Sequence, residues 1–407
     1  MHVIFVEPRF PANQRQFVGA LKAAGAYVTG IGEAPVEALG PELHGWLDAY
    51  EQVPNVCDEG RLYDAVRRVQ RRGPWVDLLE ATVEAHILPV ARVREACSIP
   101  GSSVRTAFLC RDKPAMKEAL RQAGVPTAQS TGAASLEEAH GFASRIGFPL
   151  VVKPRSGAGA AGTHRVDDPG QLDQVLRAVG VGQGASVALE EFVEGHEGFF
   201  DTLCLGGEIV HHFVSHYYPN VLEAMRHRWI SPQVVATNRV DAPGYRELEE
   251  LGGRVIRALD IGTSATHMEW FFGPRGLKFS EIGCRPPGVL VWDLYGAANE
   301  MDVYREWAHL LVHGRPSQRS SRRFAAGMIA LRPDRDGHVT GYEGVDEVQR
   351  RIGEWVLDAH FPPPGTPTQP VEGGYMANAW VRLRHPDYDR LRELLDYVGQ
   401  TIKAHAA

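Results

Sequence analysis

Two acidic residues, Glu269 and Glu281, sit in the stretch THMEWFFGPRGLKFSEIGCRPPG, which reads as strands from Thr266 to Gly273 and from Leu277 to Ile282. Pro274, Arg275 and Gly276 suit a three-residue hairpin loop with Gly276 in the left-handed position. That loop sets Gly273 opposite Leu277 and, counting back, Glu269 opposite Glu281. A loop one residue longer would turn the two carboxylates to opposite faces. Facing residues have Cβ atoms about 4.5–5.5 Å apart. Two ionised carboxylates at about 5 Å repel by roughly 3 kcal/mol at an effective dielectric of about 20. A raised pKa, a neighbouring arginine such as Arg285, or a shared divalent ion would offset this. Hard Mg²⁺ takes one or two carboxylates together with substrate phosphates.

A second group of residues concerns anions. In FPLVVKPRSGAGAAGTHRV an apolar run ends at Lys153, and a loop of small residues follows, containing Ser156, Gly157, Gly159 and Gly162. A Walker A loop places its lysine after the glycines and opens a helix. Here the lysine comes first and the chain resumes as a strand, with the next helix delayed to Asp168 as cap and Pro169 as first residue. The loop is therefore the tip of a hairpin with bare backbone N–H groups, and Lys153 is a point charge beneath it. It suits a flap over a polyphosphate; it also suits a plain hairpin whose lysine reaches solvent. Further on, ALEEFVEGHEGFFDTLCLGGEIV carries Glu190, Glu191, Val193 and Glu197 where one strand breaks into a turn and another begins. Backbone groups of such a linker bind adenine, and a carboxylate a turn later binds ribose hydroxyls; solvated glutamates beside a turn are the plain alternative. Cys284 has no base beside it in the sequence and reads as a packed thiol.

These residues need a scaffold, and the chain of 407 residues with 44 % apolar content is long enough for two or three domains. The first hundred residues alternate strand and helix: HVIFV, then NQRQFVGALKAAGA with Phe17, Leu21 and Ala24 on one face, then YVTGIG. That order implies a parallel sheet with a right-handed crossover. No G-x-G-x-x-G opens a helix there, so a dinucleotide fingerprint is absent. Helical periodicity extends over GRLYDAVRRVQRRG and over LLEATVEAHILPVARVREAC. SIPGSS marks a boundary near residue 103, and QRSSRR a connector near 316. The expected domains are thus 1–103, an N-terminal α/β unit, 104–315, which holds both hairpins (153–166 and 266–288), and 316–407, an α+β unit. A formal net charge of −7 gives no field for nucleic acid, so any anion is bound by a few placed cations. Five scattered cysteines without a C-x-x-C pair argue against a disulfide framework or a zinc site. The apolar start MHVIFVEP is too short for a signal peptide or a span, so the expectation is a soluble cytoplasmic protein.

In order along the chain, RDKPAMKEALRQAGVP, Lys153 with its small-residue hairpin, EEFVEGHE, and HMEW…EIGCRPPG resemble an ATP-grasp ligase over about residues 104–315. The resemblance implies that fold, with a Rossmann-like domain before it and a smaller α+β domain after it. By the same resemblance Lys113 and Lys153 hold ATP phosphates, Ser156 to Gly162 cover them, Glu190 to Val193 form the adenine linker, and Glu197 binds ribose. Glu269 and Glu281 match the carboxylates for Mg²⁺ (or Mn²⁺), and Arg285 matches an arginine that steadies an acyl phosphate. The family usually carries Asn two residues after the second glutamate; Gly283 stands there instead. One ion retains its carboxylates, and a second would lack that ligand.

The implied reaction is amide formation: a carboxylate takes the γ-phosphoryl group of ATP and an amine then displaces phosphate, chemistry that needs positioning and charge neutralisation and no protein nucleophile. EIGCRPPG resembles ligases that join amino acids or similar small acids. Between linker and metal hairpin lie His211, His212, His216, Tyr217, Tyr218, Arg226, His227 and Arg228, where substrate would approach. Arg226 or Arg228 can fork onto a carboxylate; aromatic packing in a solvated loop explains them equally. A phosphotransferase on the same scaffold and a nucleotide-binding regulatory module are the rival classes, and the retained glutamate pair favours an enzyme. Membership would also suit a homodimer.

Overall fold

The computed structural model describes the whole chain except residues 158–161, 289, 372–374, 376 and 378. The opening strand His2–Val6 is buried along its whole length, as a central strand of a parallel sheet must be. It pairs in parallel with Tyr27–Gly32 on one side and Leu78–Glu80 on the other, with Ala49–Gln52 outermost. The helix Gln14–Ala23 buries Phe17, Val18 and Leu21. Phe17 then meets the rings of Trp292, Tyr304 and Trp307, fixing this unit against the central part of the chain.

The helix expected over LLEATVEAHILPVARVREAC is divided. Leu78–Glu80 joins the sheet, a 3₁₀ turn spans Glu84–His86, and the helix is Ile87–Ala96. Pro89 explains where it starts: inside a longer helix its ring would clash with the preceding turn, whereas in the first turn it costs nothing. The unwound segment carries Glu84.

A four-stranded antiparallel sheet, in the order Ser130–Ala133, Val187–Glu191, Leu150–Pro154, His164–Val166, carries the small-residue hairpin. Two capped helices cover it. Leu136–Ile146 begins with a capping box of Ser135 and Glu138, and Pro169–Val179 with Asp168 accepting the Gln171 N–H. Opposite lies an eight-stranded antiparallel sheet, which runs from Gly276–Gly283 and Ser264–Gly273 through His196–Leu205, Glu208–Tyr218 and Gln233–Ala236. It continues without a break into Ala325–Leu331, Ala379–His385 and Val356–His360. Residues 316–407 therefore extend the sheet that bears the Glu269–Glu281 hairpin, through pairing of Ala325–Leu331 with Gln233–Ala236. Among the described residues no helix is long and apolar enough to cross a membrane.

Candidate active site

The metal hairpin brings Glu269 directly opposite Glu281, by a route other than the one expected. Gly276 is left-handed at φ 75°, but Gly273 pairs with Gly276 and not with Leu277, so the turn is one position tighter. Carried through, that register would set Glu269 against Ser280. A bulge intervenes: Trp270 faces Phe279 and Glu269 faces Glu281, which leaves Ser280 as the extra residue. The bulge undoes the shift made by the turn.

The pair is electrically uneven. Burial, then Glu281 and Glu197, push the Glu269 carboxyl up to about 8. Glu281 goes the other way: burial opposes its charge, but Lys113, with Nζ 3.4 Å from its Oε2, and Lys153 hold it below the usual carboxylate range. Burial also pushes Glu197 up to about 7, although its Oε2 accepts the Val221 N–H at 2.7 Å. Among the described residues no group of three His, Cys, Asp or Glu side chains is arranged to hold an ion alone.

Across the cavity stands a wall of lysines. Lys153 leaves the strand Leu150–Pro154, which pairs with His164–Val166 as the hairpin requires. Its Nζ lies 3.0 Å from Glu190 Oε2, and the surrounding carboxylates outweigh burial and raise its pKa. Lys113 opens the helix Lys113–Gln122 behind its cap Asp112 and donates to the Gly157 carbonyl at 3.1 Å. Sequence reasoning missed Lys117, one helical turn on, which is fully buried with Nζ 2.6 Å from Glu190 Oε1. Its signal was the spacing: a lysine four residues after Lys113 shares its face, between the inward Met116 and Leu120. Burial brings Lys117 down to about 8. Glu190 would be raised by burial, but the two ammonium groups hold it at about 2.

The remaining expected residues separate into two groups. Ser156, Gly157, Val193 and Glu197 line the same cavity as the lysines and the glutamate pair. Gly162, left-handed at φ 68°, closes the hairpin, and Gly159 lies outside the described residues. Glu190 is turned into the lysine wall, and Glu191 commits its carboxylate to Arg275 at 3.0 Å and Lys278 at 2.7 Å, so the linker carboxylates serve ion pairs. Arg285 lines the cavity with its Nε 3.0 Å from Glu84 Oε2. Cys284 is buried with its sulfur 2.9 Å from Cys110, and that contact, with burial, pushes its thiol far up. In the intervening stretch Arg226 and His227 border the cavity, whereas His211 pairs with Glu306 and Arg228 with Asp336. Also unforeseen is His267, whose Nδ1 meets Asp201 at 2.7 Å and whose Nε2 lies 3.8 Å from Glu269.

All of this surrounds one cavity of about 1090 Å³. Asn13, Gln14, Thr82 and Glu84 close it from the N-terminal unit, and Gln369 and Tyr375 from the C-terminal one.

Comparison with known proteins agrees with this arrangement. Residues 118–298 match the ATP-grasp domain family. The L-arginine-specific L-amino acid ligase of Bacillus subtilis is 25 % identical over 322 residues, covering 77 % of this chain and 76 % of that protein. The D-alanine–D-alanine ligase of Stutzerimonas stutzeri is 26 % identical over 191 residues, 47 % of this chain and 55 % of the relative. The crystal structure of L-amino acid ligase from Bacillus licheniformis superposes with a TM-score of 0.78 at 18 % identity, over 100 % of this chain and 98 % of that one. The chain carries an ATP-grasp domain over residues 118–298 and is similar to ligases that form C–N bonds with ATP.

Proposed function

We propose that the protein joins the carboxylate of an amino acid, or a close analogue, to the amine of a second small molecule through an acyl phosphate, giving ADP and phosphate. One observation carries the reading: a facing pair of carboxylates, one of them raised and the other 3.4 Å from Lys113, lines one cavity with Lys113, Lys117 and Lys153. The named relatives, an L-amino acid ligase and a D-alanine–D-alanine ligase, favour amino acids as the acid.

The donor set fits a hard divalent cation. Glu269 and Glu281 offer oxygen only, burial and the neighbouring carboxylates push Glu269 up, and phosphate oxygens of a nucleotide would complete the shell. Mg²⁺, when bound, supplies charge neutralisation for the transferred phosphoryl group. Lys113 and Lys153 grip phosphate oxygens, the backbone of Phe192 and Val193 takes adenine, and Glu197 takes the ribose. Arg285 fixes the acyl phosphate. A substrate carboxylate oxygen attacks the γ-phosphorus as the bond to ADP breaks. The amine nitrogen then attacks the acyl carbon, the C–O bond to phosphate breaks, and the amine proton leaves with it.

The test is phosphate release from ATP and Mg²⁺ over paired arrays of amino acids, with product mass read in parallel. Release that requires two substrates, with a product of their summed mass less water, is expected. Release with one acceptor and no amine would make the protein a phosphotransferase, and silence over the whole array would leave a nucleotide-binding module.

A further inference from the structure

Arg285 does not stand alone. Its Nε donates to Glu84 Oε2 at 3.0 Å, and its Nη1 donates to the Pro286 carbonyl at 2.9 Å. Glu84 comes from the unwound turn of the N-terminal unit, 201 residues away in sequence. That turn is itself anchored, because Arg111 donates to the Glu84 carbonyl and brings its Nε to 4.0 Å from Glu84 Oε1. Gly283 supplies the third observation. A Cβ built there would lie 3.2 Å from Glu84 Oε2 and 3.4 Å from Arg285 Cγ. A side chain at Gly283 would press on the carboxylate where it meets the arginine stem, and the glycine leaves that contact free of crowding.

From these contacts we infer that Glu84 is the positioning residue of Arg285, and that Gly283 is the residue that admits it. The inference rests on the role proposed above for Arg285. An unbraced arginine explores many rotamers and must be ordered at each turnover. Held at Nε by Glu84 and at Nη1 by Pro286, the guanidinium plane is fixed, and Nη2 is uncommitted among the described residues. The acyl phosphate thus meets a donor already in place. The brace comes from the N-terminal unit, so that unit takes part in catalysis as well as closing the cavity. A merely structural ion pair between the two units would make the same contact; the split between kcat and KM for ATP, with retention of kcat in Glu84→Gln, separates the two roles.

The experiment measures kcat and KM for phosphate release, with products counted by mass spectrometry, in Glu84→Ala, Glu84→Gln, Arg285→Ala and Glu84→Ala/Arg285→Ala. Glu84→Ala is expected to lower kcat on the order of 10–100-fold, the cost of a misplaced group, with KM for ATP within about twofold. Glu84→Gln keeps an oxygen that accepts from Nε and should retain most of kcat; it also carries the test should the alanine variant not fold. On the Arg285→Ala background the loss from Glu84→Ala should shrink to less than about twofold. An undiminished loss there, or full kcat in Glu84→Ala and Glu84→Gln with Arg285→Ala inactive, overturns the brace alone. Full turnover in Arg285→Ala overturns the proposed role of the arginine and the brace with it.

Discussion

The two walls of the cavity handle charge in opposite ways. On the lysine wall a single carboxylate, Glu190, lies within 3.0 Å of both Lys117 and Lys153 and is fully ionised because of them. On the hairpin wall Glu269 and Glu197 have no cation at that distance, and both carboxyls are pushed up. The first wall is set before any ligand arrives. Its cations are anchored by Glu190 and keep net positive charge for phosphate. On the second wall burial and neighbouring carboxylates push Glu269 up, whereas Lys113 and Lys153 hold Glu281 down. Preorganised charge stabilises a transition state without reorganisation at the moment of reaction. The difference is one of compensation: the carboxylate of the first wall is paired with ammonium groups, and Glu269 and Glu197 on the second have none at that distance.

Breaking the lysine wall should have the largest effect. Lys153→Ala removes the group that faces phosphate and is within reach of Glu190, and it leaves Glu190 with Lys117. Turnover should fall by at least about 10³-fold, the upper range for loss of one preorganised charge, while the melting temperature stays within a few degrees. Activity near that of the unaltered protein would remove the phosphate assignment. Next comes the hairpin wall. Glu281→Gln should lower turnover on the order of 10²–10³-fold and raise the Mg²⁺ concentration at half-activity, and titration with Mg²⁺ separates the two effects. A loss of turnover with the Mg²⁺ requirement unchanged would show that Glu281 does not serve the ion.

Much of this contrast was legible in the sequence, and the lapses have physical causes. Glu269 and Glu281 were set face to face from period-two alternation and a glycine turn. The actual turn is tighter and the bulge at Ser280 restores the register, so two local departures cancel. Backbone bulges have no strong residue signature, and counting along strands cannot see them. The lysine hairpin was read from the order of lysine and glycines, which distinguishes strand from helix directly. Lys117 was missed because a lysine on an amphipathic helix usually faces water, and only a buried partner from another strand, Glu190, makes an inward one affordable. Glu84 was missed for a different reason. Helical periodicity ran across a segment that sheet pairing of Leu78–Glu80 and the position of Pro89 divide, and a residue placed on a helix face is not sought in a cavity.

Lys117 allows a finer test of the lysine wall. It is fully buried with its ammonium group committed to Glu190, so it should act on nucleotide chiefly through that carboxylate. Lys117→Met keeps the volume and leaves Glu190 paired with Lys153. The expected result is a rise of about 3–10-fold in KM for ATP with kcat little changed, since Lys153 would then be drawn more strongly to Glu190 and less to phosphate. A fall in kcat as large as that of Lys153→Ala would mean that Lys117 itself reaches the transferred group.

The smallest expected effect reads the charge deficit of the other wall in the protein without metal. The Glu269 carboxyl rests at about 8 in the fold, above the ordinary carboxylate value of 4.5. Between those two values the folded protein holds a proton that the unfolded chain has released. Stability must therefore fall as pH rises through that window and level off above about 8. Mg²⁺ with ADP should flatten the slope, because an ionised Glu269 is then paired. Glu269→Gln should flatten it without metal, since the amide does not titrate. Melting temperature against pH from 5 to 9, in steps of about half a unit, for both proteins with and without MgADP, measures all four curves. A slope that survives in Glu269→Gln would place the unpaid charge elsewhere, with Glu197, pushed up to about 7, as the remaining carboxyl on that wall.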